Sequence, residues 1–175
     1  MKRLLTLLAA CIAVYAATAQ SRIETFTFRS ALLGAEKTCS VYLPAGYDDS
    51  GRSYPVLYLL HGASGYHGDW AEKGNMRQIA DEAIAAGTAL PMIVVMPDAS
   101  GTGENYTGDR MGYFDVPGWP YERFFFEEFV PAVERRYRIC GDKARRAISG
   151  LSMGGGGTAV YALRHPEFFG SACPM

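Results

Sequence analysis

One stretch constrains this chain more than any other. It is Gly150-Leu151-Ser152-Met153-Gly154, the front of a run that continues through Gly155, Gly156 and Gly157. Ala147 and Ile148 lead into it as a short apolar run, and a helical pattern leads out. A serine with glycine two residues before and two after suits the tip of a sharp strand-to-helix turn, where larger flanking side chains would collide. Such a turn strains the backbone at its tip and lifts the serine hydroxyl clear of the sheet. It also leaves the Met153 N–H at a helix N-terminus, where it can receive a developing negative charge. Ser152 is therefore the candidate nucleophile. A bare G-x-S-x-G also arises as an incidental glycine-rich turn. The strand before it, the helix after it and a second motif upstream favour the catalytic reading.

The remaining patterns alternate between strand and helix. Residues 23–30 and 37–43 alternate in polarity and read as two early antiparallel strands, followed by a turn-rich connection over 44–51. Residues 55–60 and 92–96 are continuous apolar runs, as in strands buried on both faces. Between them, 75–86 predicts a helix with an apolar stripe of Met76, Ile79, Ala80, Ala83 and Ile84, ended by Gly87. Residues 121–137 predict a second helix, with Phe126, Val130, Val133 and Tyr137 on one face and a kink or break at Pro131. A strand over 143–149 enters the serine turn, a helix over 153–164 leaves it, and 168–175 begins another strand. Residues 99–120 show no periodicity but carry Tyr106, Tyr113, Phe114 and Trp119 among many glycines, which favours a functional loop over disorder. The sum predicts one α/β domain, with a mostly parallel sheet, helices on both faces and a site at the carboxyl ends of the strands. His61-Gly62-Ala63, Asp98 and Ser152 all fall at such ends.

The first nineteen residues stand apart. Lys2 and Arg3 precede an almost wholly apolar run over 4–17, and Ala17-Thr18-Ala19 is an A-x-A cleavage site. Residues 1–19 therefore read as a signal peptide, too short to span a bilayer comfortably, and 20–175 as the exported domain. Leu8-Ala9-Ala10-Cys11 looks like a lipobox, but its hydrophobic lead would be unusually short, so ordinary cleavage is expected. Removing Lys2 and Arg3 takes the formal net charge from −1 to about −3. No basic cluster persists that would suit nucleic acid, and no stable membrane insertion is expected after cleavage. Cys39, Cys140 and Cys173 are too few for a disulfide framework, and one pair at most could bridge. None has metal-ligand spacing with a histidine, so neither metal nor cofactor is expected.

The residues quoted so far resemble the esterase family of α/β-hydrolases, which includes esterase D-type enzymes, feruloyl esterases and mycolyltransferases of the antigen 85 type. The matching stretches are 54–62, Met96-Pro97-Asp98, Glu127-Glu128-Phe129-Val130-Pro131, 146–155 and 162–167. The resemblance implies an α/β-hydrolase fold, Ser152 as nucleophile and the backbone N–H groups of Ala63 and Met153 as the oxyanion hole. It also implies that the triad acid and histidine follow the serine in chain order. Only residues 154–175 follow the serine turn here, so 20–175 reads as an esterase domain incomplete at its C-terminus, and inactive and poorly stable on its own.

Other candidates carry a bland reading beside a functional one. His61 is expected to hold the oxyanion turn rather than to act as base. His67 reads as a solvated loop residue, and His165 as the end of the serine helix. Asp98 reads as a loop-orienting residue, Glu127 and Glu128 as a solvated helix face. Tyr106, Tyr113 and Trp119 are candidates to line a substrate pocket, with packing as the alternative. The expected activity is hydrolysis of carboxylic esters through a Ser152 acyl-enzyme, on feruloyl or acetyl esters of carbohydrate, by a secreted or periplasmic enzyme. Acyl transfer on the same fold, or a non-catalytic carbohydrate-binding role, remain alternatives.

Overall fold

In the computed structural model, which describes residues 20–101 and 112–175, the alternating segments near the N-terminus become β1 (Arg22–Arg29) and β2 (Glu36–Leu43), paired antiparallel. A short helix α1 (Tyr47–Ser50) leads to β3 (Val56–Leu60). Helices α2 (Asp69–Glu72) and α3 (Met76–Ala85) follow, then β4 (Ile93–Met96). A small hairpin, β5 (Asp115–Val116) with β6 (Trp119–Pro120), precedes α4 (Tyr121–Phe124). A π-helical turn (Phe125–Phe129) joins α4 to α5 (Val130–Arg136). The chain then enters β7 (Arg146–Gly150), α6 (Met153–Arg164) and β8 (Ser171–Pro174). The proposed signal peptide and Tyr106 lie outside the described residues.

The main sheet runs β1-β2-β4-β3-β7-β8. Strands β4, β3, β7 and β8 are parallel, and β2 is antiparallel to β4. Two-residue alternation along β3 sends side chains to both faces. Val56, Tyr58 and Leu60 join Val41, Ile93, Val95 and Ile148 beneath the aromatic packing of Phe124, Phe125, Phe129 and Tyr161. Leu59 faces the other way, with Tyr42, Val94 and Met96, against Met76, Ala80 and Ile84 of α3. Helices thus cover both faces, as a sheet with apolar side chains on each face requires.

Two helices depart from expectation. In α3 the buried stripe narrows to the i, i+4, i+8 row of Met76, Ala80 and Ile84, while Ile79 is 60% exposed. Its C-terminus closes as expected, with Gly87 at φ +71° and Thr88 N–H donating to Ala83 O at 3.1 Å. The helix carrying Pro131 does not break. Its strain is taken up one turn earlier, where Val130 N–H bonds Phe125 O, five residues back. Proline has no N–H and its ring crowds the carbonyl four residues before it, so a wider turn there keeps the helix continuous. The strand into the serine turn starts at Arg146 rather than 143, after a single 3₁₀ turn over Lys143–Arg145.

Candidate active site

Ser152 sits between the end of β7 and the first residue of α6, exposed, with φ +55° and ψ −112°. A non-glycine residue in this region carries about 1–3 kcal/mol of backbone strain, held only where the surroundings over-determine it. The surroundings do so here. Leu151 N–H donates to Leu60 O at 3.2 Å, Ser152 N–H to Met175 O at 2.8 Å, and Gly156 N–H to Ser152 O at 2.9 Å. The flanking glycines are sterically obligatory. A Cβ on Gly150 would lie 2.5 Å from the Gly154 backbone, and one on Gly154 would lie 2.7 Å from the carbonyl oxygens of Leu60 and His61. Met153 opens α6, and the first N–H groups of a helix have no intrahelical acceptor.

The second arm of the site is the turn after β3. Gly65 N–H closes it on Gly62 O at 3.2 Å, with Ser64 at φ +61°. A Cβ on Gly62 would stand 3.9 Å from Ser152 Cβ, so the turn lies directly against the serine. His61 anchors it from below. The ring is buried, and its Nε2 accepts the Ala99 N–H at 2.9 Å. That bond fixes the tautomer, leaving Nδ1–H to donate to Gly62 O at 2.8 Å. Burial pushes the imidazole pKa below its ordinary value, against the opposing pull of the Gly62 bond and of Asp98. His61 therefore has both nitrogens committed and serves as a strut of the turn, not as a base for Ser152. Because the Gly62–Ala63 peptide is trans and planar, a fixed Gly62 carbonyl also fixes the opposite direction of the Ala63 N–H.

Asp98, at the end of β4, accepts Ser100 N–H at 2.7 Å and the Ser100 hydroxyl, and its own carbonyl accepts Tyr121 OH at 2.7 Å. It orients the 98–100 loop, as expected. Other expectations change. Tyr113 and Trp119 are fully buried. Tyr113 OH donates to His61 O at 3.2 Å, its own carbonyl accepts the Tyr161 hydroxyl, and its ring packs against Tyr121. Both rings are candidates for a pocket lining in the sequence; the structure places them in the core, Tyr113 against His61 and α6 and Trp119 beneath Lys37. His67 is not a solvated loop residue but half-buried, with Nδ1 2.8 Å from Ser40 Oγ. Glu128 is not solvated either. It accepts the Ser30 hydroxyl at 2.5 Å and the Ala31 and Leu32 N–H groups at 3.1 Å each. Glu127 is exposed beside Arg123, as expected of a solvated face. His165 ends α6 with Nε2 3.0 Å from Glu122. Cys39, Cys140 and Cys173 are free thiols.

Lys37 was missed. It is buried at the site end of β2, with Nζ donating to Ser100 O at 2.8 Å and 3.7 Å from Asp98 Oδ1. The available signal was its phase, since alternation puts it on the inward face with Cys39, Val41 and Leu43. Beside the serine turn, Gly62, Trp70 and Leu151 help line a cavity of about 210 Å³, with Asp69 and Lys73 paired at 2.9 Å in its wall.

A strained serine between a sheet strand and a helix, packed against a turn after a neighbouring parallel strand, defines the α/β-hydrolase class. Within that class the chain belongs to the Esterase family, whose model matches residues 30–175. It is 38% identical over 152 residues to an endo-1,4-beta-xylanase/feruloyl esterase of Xylanibacter ruminicola, an alignment covering 85% of this chain and 20% of that protein. It is 32% identical over 151 residues to an esterase of Mycobacterium tuberculosis, covering 86% and 31%. Among solved structures, a ferulic acid esterase matches with a TM-score of 0.81 at 43% identity, over 86% of this chain and 56% of that one. An S-formylglutathione hydrolase from Agrobacterium tumefaciens matches with a TM-score of 0.71 at 29% identity, over 87% and 56%. The chain thus spans a little over half the length of these solved chains, and less than a third of these two curated relatives.

Proposed function

We propose that the protein is an exported serine esterase that cleaves feruloyl or acetyl esters of carbohydrate, with Ser152 as nucleophile. The observation that carries this is the exposed Ser152 in its strained turn, against the Ala63 turn and at the head of α6. In the proposed reaction Ser152 Oγ attacks the ester carbonyl carbon and transfers its proton to a general base. The carbonyl oxygen becomes an oxyanion between the N–H groups of Ala63 and Met153. Collapse of that intermediate expels the alcohol, which takes the proton back, and leaves an acyl-enzyme that water hydrolyses.

Among the described residues no histidine or carboxylate side chain is hydrogen-bonded to Ser152 Oγ. In this reading, base and acid therefore come from the additional length that the solved relatives possess. The relatives named feruloyl esterase support the acyl group, and the cavity beside Leu151 has room for a ring-sized group, since about 150 Å³ accommodates benzene. Export rests on the 1–19 segment. Among the described residues, no helix is long and apolar enough to cross a membrane. The test is hydrolysis of methyl ferulate and p-nitrophenyl acetate by the full-length gene product and its Ser152→Ala variant. The variant is expected to lose roughly 10³-fold or more in kcat; equal rates in the two proteins would overturn the assignment.

A further inference from the structure

A buried lysine needs an explanation. Lys37 is 4% exposed, and its ammonium sits 3.7 Å from Asp98 Oδ1. The same Oδ1 lies 3.9 Å from His61 Nε2, the nitrogen that must remain an acceptor for Ala99 N–H. Lys37 also reaches the Ser100 carbonyl at 2.8 Å and lies 5.6 Å over the Trp119 ring. A chain of contacts thus runs from Lys37 through Asp98 and the 98–100 loop to His61, and from His61 to the Gly62–Ala63 peptide.

We propose that Lys37 is a positioning residue for the oxyanion hole: its ammonium balances the Asp98 carboxylate, so that His61 stays neutral, accepts from Ala99 and holds the Gly62–Ala63 peptide. This rests on the reading of Ser152 and Ala63 given above. The physical argument concerns one proton. If Asp98 stood unbalanced beside His61, its charge would favour the imidazolium. An imidazolium has two N–H groups and no acceptor. Nε2–H would then face the Ala99 N–H donor to donor, and would turn toward Asp98 instead. The ring would move, its Nδ1–H would leave the Gly62 carbonyl, and the Ala63 N–H would lose its aim. Among the described residues, the charged and titratable groups that act on His61 are Asp98, Lys37, Asp69 from α2 and the Tyr113 ring. Asp98 and Asp69 pull its pKa up, while Lys37 and burial pull it down. Lys37 is the one cation among them. Burial lowers the pKa of Lys37 itself from the ordinary lysine value, and Asp98 opposes that fall.

The experiment uses the full-length protein with ¹⁵N-labelled histidine, read by NMR from about pH 5 to pH 8, alongside kcat and KM for methyl ferulate. In the wild type, His61 holds the Nδ1–H tautomer and protonates below the ordinary imidazole range. In Lys37→Met, His61 is expected to protonate at higher pH. Its kcat should fall roughly tenfold to a hundredfold on the acid side and recover as pH rises, with KM changed less than about twofold, as for a lost oxyanion donor. Lys37→Arg restores the wild-type behaviour. So does the double variant Lys37→Met/Asp98→Asn, which removes both charges and also serves if Lys37→Met alone does not fold. An unmoved His61 titration in Lys37→Met, a kcat loss equal at all pH, or a folded double variant that keeps the defect would overturn the proposal. Retained activity in Ser152→Ala would instead overturn the functional reading, and the His61 spectra would still report on Lys37 independently.

Discussion

At the scale of single residues, Ser152 and its neighbouring glycines form one device. The backbone strain at φ +55° persists because Leu60, Met175 and Gly156 each hold the turn by a hydrogen bond. The glycines give the chain room to make those bonds. A methyl group on Gly150 would meet backbone atoms of Gly154 at 2.5 Å and Leu60 Cβ at 2.7 Å, and neither neighbour is the free end of a flexible side chain. Gly150→Ala is therefore expected to destabilise the protein by about 1–3 kcal/mol, as overpacking does. It should also displace Ser152 enough to lower kcat roughly a hundredfold. Thermal melting and initial rates on p-nitrophenyl acetate check both; a variant with wild-type melting and turnover would show that the turn is not as tight as its contacts require.

At the scale of elements, the helix over 121–136 ties the N-terminal strands to the site. Glu128, in its π-helical turn, gathers three donors from Ser30, Ala31 and Leu32, where β1 gives way to β2. Glu128→Ala leaves two backbone N–H groups and a hydroxyl without their charged acceptor. Hydrogen bonds to charged groups contribute about 1.5–3 kcal/mol each, but Ala31 is exposed, so a total loss near 2 kcal/mol is expected. Chemical denaturation reads this as a lower midpoint at unchanged slope; a midpoint within error of the wild type would remove Glu128 from this role. The sequence could not reveal this contact. Periodicity placed Glu128 on a helix, but the partner lies 96–98 residues away, and no local pattern encodes which exposed helix position meets a distant loop. Pro131 was legible as a disturbance, whereas its resolution as a wider turn one step earlier was not. The strands were legible to within a few residues because alternation and continuous apolar runs report burial directly, as in β3, whose side chains divide between two cores.

At the scale of the whole molecule, the sheet brings four distant segments to one end: Lys37 from β2, the 61–65 turn after β3, Asp98 after β4, and the 150–154 turn after β7. The serine turn was legible in sequence because G-x-S-x-G demands a local geometry, whereas the Ala63 donor came forward only through the resemblance to esterases. Tyr113 and Trp119 could not be assigned, since aromatic residues in a glycine-rich segment suit a pocket or a core equally, and only their contacts with His61, α6 and Lys37 decide. Lys37 was hidden for a related reason: its phase along β2 points inward, but no local pattern names the Asp98 carboxylate that meets it there. Every step of the proposed reaction passes through an acyl group on Ser152 Oγ. The most direct measurement is to quench the full-length protein during turnover of p-nitrophenyl acetate, or after reaction with a fluorophosphonate, and map the adduct by peptide mass spectrometry. The account predicts a single acetyl or phosphonyl group on the peptide carrying Ser152, absent from Ser152→Ala. An adduct on another residue, or ester turnover with Ser152 unmodified and dispensable, would contradict it.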